Sequence, residues 1–332
     1  VKESIIVFAF IAALVIAGIF MTFKKNVDTK LENFDELWGL GDPVVVEEKL
    51  RELLPQAESL KDKSLYIQIL SQIALAQALQ QKIDDAHKTL DEAEMLLTPE
   101  YELAKVRILL ERGRVFQQAG KVPEALDFFK KSFELSEKNK FDYYTINAAH
   151  MIAIVVDKTE EKIKWNQLAI HMSEKTKDKK AALWLGPLYN NLGRNYHEEK
   201  QYKKALVAFK KALEYRRKEK YAPNIRVAKW SIGQILRLLN RLDEALKIQQ
   251  ALLKEYDAIE KTGNFDMPLE MFKLTRGWVY EELAEIYNDK SKLFAHLAYE
   301  DLSNNEMFRK VEPERLERLK EKDIQTIVEK LS

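Results

Sequence analysis

Residues 184–215 constrain the fold more than any other stretch. Trp184-Leu-Gly-Pro-Leu-Tyr-Asn-Asn-Leu-Gly-Arg-Asn-Tyr196 and Lys204-Ala-Leu-Val-Ala-Phe-Lys-Lys-Ala212 carry apolar and small residues at helical spacing, separated by the polar turn Glu198-Glu-Lys-Gln-Tyr202. Leu192, Gly193 and Tyr196 on the first helix are followed by Ala205, Phe209 and Ala212 on the second. Gly193 and Ala205 remove bulk where two helices must approach closely, and Tyr196 and Phe209 fill the volume beside that crossing. One such pair leaves an apolar face uncovered, so the chain should contain copies of it.

Copies are found along most of the chain. Ser64 to Leu97 has Ile73-Ala74, then Ala86, Leu90 and Ala93; Tyr101 to Glu137 has Gly113 and Phe116, then Ala125 and Phe129, with Gly120 serving the turn. Tyr143 to Lys175 is a weaker copy: Ala149, His150 and Ala153 precede Trp165 and Ala169, and Lys162 stands where a small residue is expected. Arg226 to Tyr256 supplies Ile232-Gly233, Leu236, Ala245 and Leu252, and Gly277 to Asn304 supplies Leu283-Ala284, Tyr287 and Ala295. Val44 to Leu60 reads as half of a degenerate first unit, and Pro55 should end or kink its helix.

Within each pair the small and aromatic offsets resemble the tetratricopeptide repeat. The spacing is longer: 39 residues separate Ala86 from Ala125 and 40 separate Ala205 from Ala245, against about 34 for that repeat and about 40–47 for HEAT and armadillo units. Longer helices would absorb the surplus. Several strings are also similar to an uncharacterised bacterial tetratricopeptide group: Phe34-Asp-Glu-Leu-Trp38 with Asp42-Pro43, Leu110-Glu-Arg-Gly-Arg-Val115, Ala148-Ala-His-Met-Ile-Ala-Ile154, Trp184 to Asn191, Val279-Tyr-Glu-Glu282 and Glu312-Pro-Glu-Arg-Leu316. The resemblance implies an all-α, right-handed superhelical array of about six pairs whose first helices line a concave face. The expected division is 1–25 as anchor or signal segment, 26–43 as linker and cap, 44–310 as the array, and 311–332 as a C-terminal capping helix. The clearest units are 64–97, 101–137, 184–215 and 226–256.

Ahead of the array, Ile5 to Phe23 is a run of 19 residues without a charge, close to the ~20 that span a bilayer. A single membrane-anchoring helix is the expectation, and Lys24, Lys25 and Lys30 against Lys2 would leave the repeat domain in the cytoplasm. The alternatives are a signal segment cut near Val15-Ile-Ala17, giving a secreted or periplasmic protein, and translation from Met21, giving a soluble cytoplasmic one. The similar bacterial group usually lacks such a hydrophobic helix.

Enzyme chemistry has little support. No cysteine occurs, which removes disulfides, thiolate metal sites and a thiol nucleophile. His87, His150, His171, His197 and His296 form no His-x-x-x-His or His-Glu-x-x-His pattern, Gly39-Leu-Gly41 lacks the third glycine of a dinucleotide loop, and no Gly-x-Ser-x-Gly elbow exists. The acid pairs Glu47-Glu48 and Glu281-Glu282 and the basic runs Lys203-Lys204 and Arg216-Arg217-Lys218 read as solvated faces. A net charge of +1 gives no field for nucleic acid. No catalytic residue, metal or cofactor is expected. His150 replaces a small residue, so it must spread the helices or reach a hydrogen-bond partner; a structural and a ligand-sensing role are both open.

Binding chemistry is better represented. Aligned on the small residue, the first helices place Arg107, Arg114, Asn147, Asn190, Arg194, Trp230, Gln234 and Arg237 on the expected concave side. Asn amides pair with peptide backbone, Arg forks grip carboxylates and Trp gives a flat anchor. Pairing with Glu111 or Glu198 is the competing use of the arginines. The expectation is a membrane-tethered scaffold that binds a peptide or partner helix; a sensor of a small ligand or signalling peptide is the alternative.

Overall fold

The computed structural model describes residues 31–287 and 291–320, and these are all-α, with no strand among the described residues. No helix among them is long and apolar enough to cross a membrane. The expected span Ile5–Phe23, the Met21 start and residues 321–332 of the expected cap lie outside the described residues.

After a kinked 3-10 segment, Leu31–Leu40, the chain forms α1 (Pro43–Ser59), then the pairs α2/α3 (Lys63–Leu79, Ile83–Met95), α4/α5 (Glu102–Gln118, Val122–Lys138) and α6/α7 (Asp142–Val155, Thr159–Lys175). The short α8 (Lys179–Ala182) leads into α9/α10 (Leu185–Glu198, Tyr202–Glu219), α11/α12 (Ala222–Leu238, Leu242–Thr262), α13/α14 (Leu269–Ile286, Ser291–Ser303) and α15 (Glu306–Val311). Residues 313–320 are again helical. Among the described residues the chain divides at Tyr196, within α9, into two compact units, one ending at Asn195 and one beginning at Tyr196.

In the first unit Leu50, Ile67, Ile73, Leu90 and Ile108 are almost completely buried and form one core with Phe34, Leu37 and Trp38 of the opening segment. Each such aliphatic side chain contributes ~1.5–3 kcal/mol. In the second, Tyr196 packs against Ala205, Phe209, Ile232 and Leu236, while Leu252, Tyr256 and Phe272 form a second cluster. Leu316 and Leu319 bury against Leu274, Tyr280 and Leu302.

A recurring turn joins the helices. Gln81, Gly120, Lys200 and Asn240 all adopt φ between +55° and +72°. The amide after each reaches back to close the helix end: Lys82 N–H donates to Gln77 O (2.9 Å), Lys121 to Phe116 (2.9 Å), Gln201 to Tyr196 (2.8 Å) and Arg241 to Leu236 (2.9 Å). This is the left-handed helix stop with its 6→1 bond. Lys61 and Lys140 repeat it, with Asp62 N–H donating to Ala57 O and Phe141 N–H to Ser136 O.

Four expectations need correction. Helix α1 continues through Pro55. Pro55 and Arg51 are on the exposed side, where the Arg51 carbonyl that loses its amide partner can bond water, and Val46, Leu50, Leu53 and Ala57 remain buried. The 39-residue interval is absorbed partly by the loop 96–101 between α3 and α4, since α3 has only 13 residues; in the later interval α10 has 18 and α11 has 17, and there helix length does the work. Glu281 and Glu282 are buried rather than solvated, because each meets arginine partners on different sides of α13. Arg216 is also buried, its guanidinium held by Glu219 at 2.8 Å, whereas Arg217 and Lys218 are exposed.

Candidate functional site

Helices α2, α4 and α6 present a row of polar side chains on one face of the first unit, and Leu31–Leu40 lies against it. Asp35 and Arg107 form a two-pronged ion pair, Nη2 donating to Oδ1 at 2.6 Å and Nη1 to Oδ2 at 3.2 Å. Arg107 Nη1 also donates to the Tyr144 hydroxyl (2.6 Å), and its guanidinium stacks 4.8 Å from the Phe34 ring centroid. Lys180 Nζ adds a bond to Asp35 Oδ2 at 3.2 Å. Burial alone would raise the Asp35 carboxyl, but Arg107 and Lys180 override it and hold it at about 2. Burial and the Asp35 charge also act on Arg107 in opposite senses, and the carboxylate wins, holding the guanidinium firmly protonated.

A second chain of hydrogen bonds runs beside the first. Trp38 Nε1 donates to Gln72 Oε1 (2.9 Å), Gln72 Nε2 donates to Glu111 Oε1 (3.0 Å), and Arg114 Nη1 donates to both Glu111 oxygens (2.8 Å). Arg114 Nη2 then donates to Asn147 Oδ1 at 2.9 Å. Gln72, Arg107, Glu111, Arg114 and Asn147 are all buried. The pairing of Arg114 with Glu111 is the intramolecular use that the sequence left open.

His150 is fully buried and reaches a partner: its Nε2 lies 2.9 Å from Asn191 Nδ2. With the amide donating, the ring proton sits on Nδ1, which has no bonding partner, as does the neighbouring Trp184 Nε1. The His150 and Trp184 rings are 4.8 Å apart. Burial first and Arg114 second push the imidazole down to about 3, so it is neutral at physiological pH.

The other sequence candidates divide between the units. Asn190 and Arg194 are half-buried on α9. In the second unit Trp230 Nε1 donates to Trp278 O at 3.0 Å, with the two indole rings 5.1 Å apart. Gln234 Nε2 donates to Glu282 Oε1 (3.2 Å) and Arg237 Nε to Glu282 Oε2 (2.7 Å). Beside them Arg315 and Arg318 of the helical stretch 313–320 both donate to Glu281. Sequence reasoning does not assign Asp35, Gln72 or Tyr144 to a site, and it quotes Phe34-Asp-Glu-Leu-Trp38 only for its resemblance; two aromatics around acids in an otherwise polar stretch are the signal that could have placed Asp35. Among the described residues no group of three or more His, Asp or Glu could hold a metal ion.

Residues 184–256 match the family model described as tetratricopeptide repeat. Solved structures with a similar fold include BtubC from P. vanneervenii, with a TM-score of 0.55 and 15% identity over 70% of this chain and 93% of that one. The apo form of the quorum sensor NprR from B. thuringiensis gives 0.51 and 17% over 82% and 86%, and the apo form of RapI gives 0.55 and 14% over 85% and 96%. No curated protein matches the sequence. Residues 184–256 therefore carry tetratricopeptide repeats, and consecutive helix pairs precede and follow them along the described residues.

Proposed function

We propose that this chain is a protein–protein interaction module that holds a peptide segment or partner helix against the first helices of its repeats. The observation that carries this reading is Leu31–Leu40 itself: the face of α2, α4 and α6 already receives a short segment through a forked carboxylate contact, an indole hydrogen bond and buried aromatic rings. These are the contacts that anchor peptides in helical grooves. Asn190 and Arg194, four residues apart on α9, extend the surface that a ligand could use. Ile5–Phe23 would tether the module to a membrane.

Peptide display against the full chain tests the binding role. Enriched peptides should lose binding to Asn190→Ala/Arg194→Ala while helicity by circular dichroism is unchanged. Enrichment that survives this substitution removes Asn190 and Arg194 from the site, and no enrichment above a blank surface removes the binding role. Fractionation of cells expressing the chain with and without residues 5–23 tests the tether: equal recovery in the membrane pellet would remove it.

A further inference from the structure

The opening segment is attached to the face that the proposed function uses, and its chemistry indicates what else could lie there. Its backbone is a poor reason for it to be ordered. Leu31–Leu40 is a ten-residue 3-10 run interrupted at Asn33 (φ −116°, ψ 28°), whereas 3-10 stretches beyond three or four residues are uncommon because their hydrogen bonds are badly aligned. Side chains hold it: Phe34, Leu37 and Trp38 are buried in the core cluster, Asp35 grips Arg107, and Trp38 grips Gln72. At its C-terminal end Gly41, with φ +77°, connects it to α1. That glycine is a pivot where the backbone can turn without Cβ strain.

The receiving face is built for an anion. Removing Asp35 would leave the Arg107 guanidinium buried against the Tyr144 hydroxyl, with the Glu111 carboxylate already engaged by Arg114 and Gln72. A buried cation without a counter-charge is strongly unfavourable, so any occupant that replaces the segment must bring a carboxylate to the same place. Phe34 stacks on that guanidinium and the Trp38 indole bonds Gln72, so aromatic rings at these two positions complete the contact.

We infer that Leu31–Leu40 is a cis-bound stand-in for a partner peptide of the same chemistry, an aromatic residue followed by an aspartate and, three residues later, a second aromatic, and that the partner binds by displacing it. This rests on the proposed reading of the face as a peptide site. A tethered segment competes at an effective concentration near the millimolar range, so a partner peptide sees a face that is mostly taken. Displacement then frees residues 31–40 when, and only when, the partner is present.

The test uses the full chain and a fluorescent synthetic peptide of residues 31–40. Anisotropy titrations compare wild type, the release variant Phe34→Ala/Asp35→Asn, and that variant with Arg107→Ala added. The release variant should bind the peptide at least about tenfold more tightly than wild type, and Arg107→Ala should abolish the gain. Equal, Arg107-dependent binding by wild type and release variant overturns the competition and leaves the peptide site standing. Binding that survives Arg107→Ala overturns the peptide site as well, and no binding by a folded release variant overturns the inference. Because Phe34 belongs to the core, hydrogen exchange on unsubstituted wild type supplies a second measurement: saturating peptide should remove protection from the amides of residues 31–40, and unchanged protection overturns displacement. Wild-type dimers that dissociate on adding peptide would assign the segment to a neighbouring copy and overturn the cis arrangement.

Discussion

Gly113 on α4 and Phe129 on α5 are matched as gap and filler. A Cβ placed on Gly113 would stand 2.5 Å from Phe129 Cε1, and Phe129 is fully buried. The ring has no open side to move into, so Gly113→Ala should overpack the pair. The expected cost is about 1–3 kcal/mol, reduced by up to ~1 kcal/mol because alanine is the better helix former. Thermal denaturation checks it, and a raised midpoint would refute the close approach. Gly120→Ala makes a useful contrast, since nothing lies within 4 Å of its Cβ but its φ is +72°; its loss of about 1 kcal/mol would come from backbone strain alone.

The Asp35–Arg107 pair should show itself in acid. Asp35 titrates at about 2 in the folded chain and near ~3.9 when unfolded. A depressed carboxyl contributes stability that is fully present above the unfolded value and lost as the pH falls through the folded one. The stability difference between wild type and Asp35→Asn should therefore be constant above about pH 5 and shrink toward zero near pH 2. Chemical denaturation at a series of pH values measures it. A difference that persists unchanged at pH 2 would mean that the carboxylate charge does not hold the segment.

His150 predicts the same sign by a different route. Its folded imidazole titrates at about 3 because of burial and the Arg114 charge, against ~6.5 unfolded. The unfolded chain takes up the proton first, so stability is level above about pH 6.5 and falls as the pH drops toward 3. His150→Gln should flatten that part of the profile between pH 7 and 5. An identical slope in both proteins would show that His150 is not the group responsible.

The helix pairs are legible because their packing is local: Ala205, Phe209 and Ala212 declare a helix face within two turns, and all three are buried. The contents of the candidate site were only half legible. Arg107, Arg114 and Asn147 could be placed on one face by periodicity, yet their partners could not. Asp35 is 72 residues from Arg107 and sits in a stretch that reads as a polar linker. Only docking brings an isolated carboxylate there. Glu281 and Glu282 read as solvated for a related reason, since Arg315 and Arg237 reach them from positions 34 and 45 residues away, and an acid pair by itself carries no sign of burial. The turns were hidden differently. Gly120 marks the left-handed stop openly, but Gln81, Lys200 and Asn240 occupy the same backbone conformation without the residue that advertises it.

Those turns also offer a stabilising change. Lys200 has φ +55° and Asn240 has φ +58°, and both are exposed. A side chain in that region crowds the following carbonyl at a cost of ~1–2 kcal/mol, which asparagine tolerates better than lysine. Glycine removes the crowding but gives the unfolded chain more freedom, so only part of the relief survives. Lys200→Gly should raise stability by about 0.5–1 kcal/mol, Asn240→Gly by less, and Lys200→Ala not at all, since a Cβ remains. Denaturation midpoints of the three variants give the order. If Lys200→Ala stabilises as much as Lys200→Gly, the gain comes from removing lysine charge and not from the backbone, and the strain at this turn is absent.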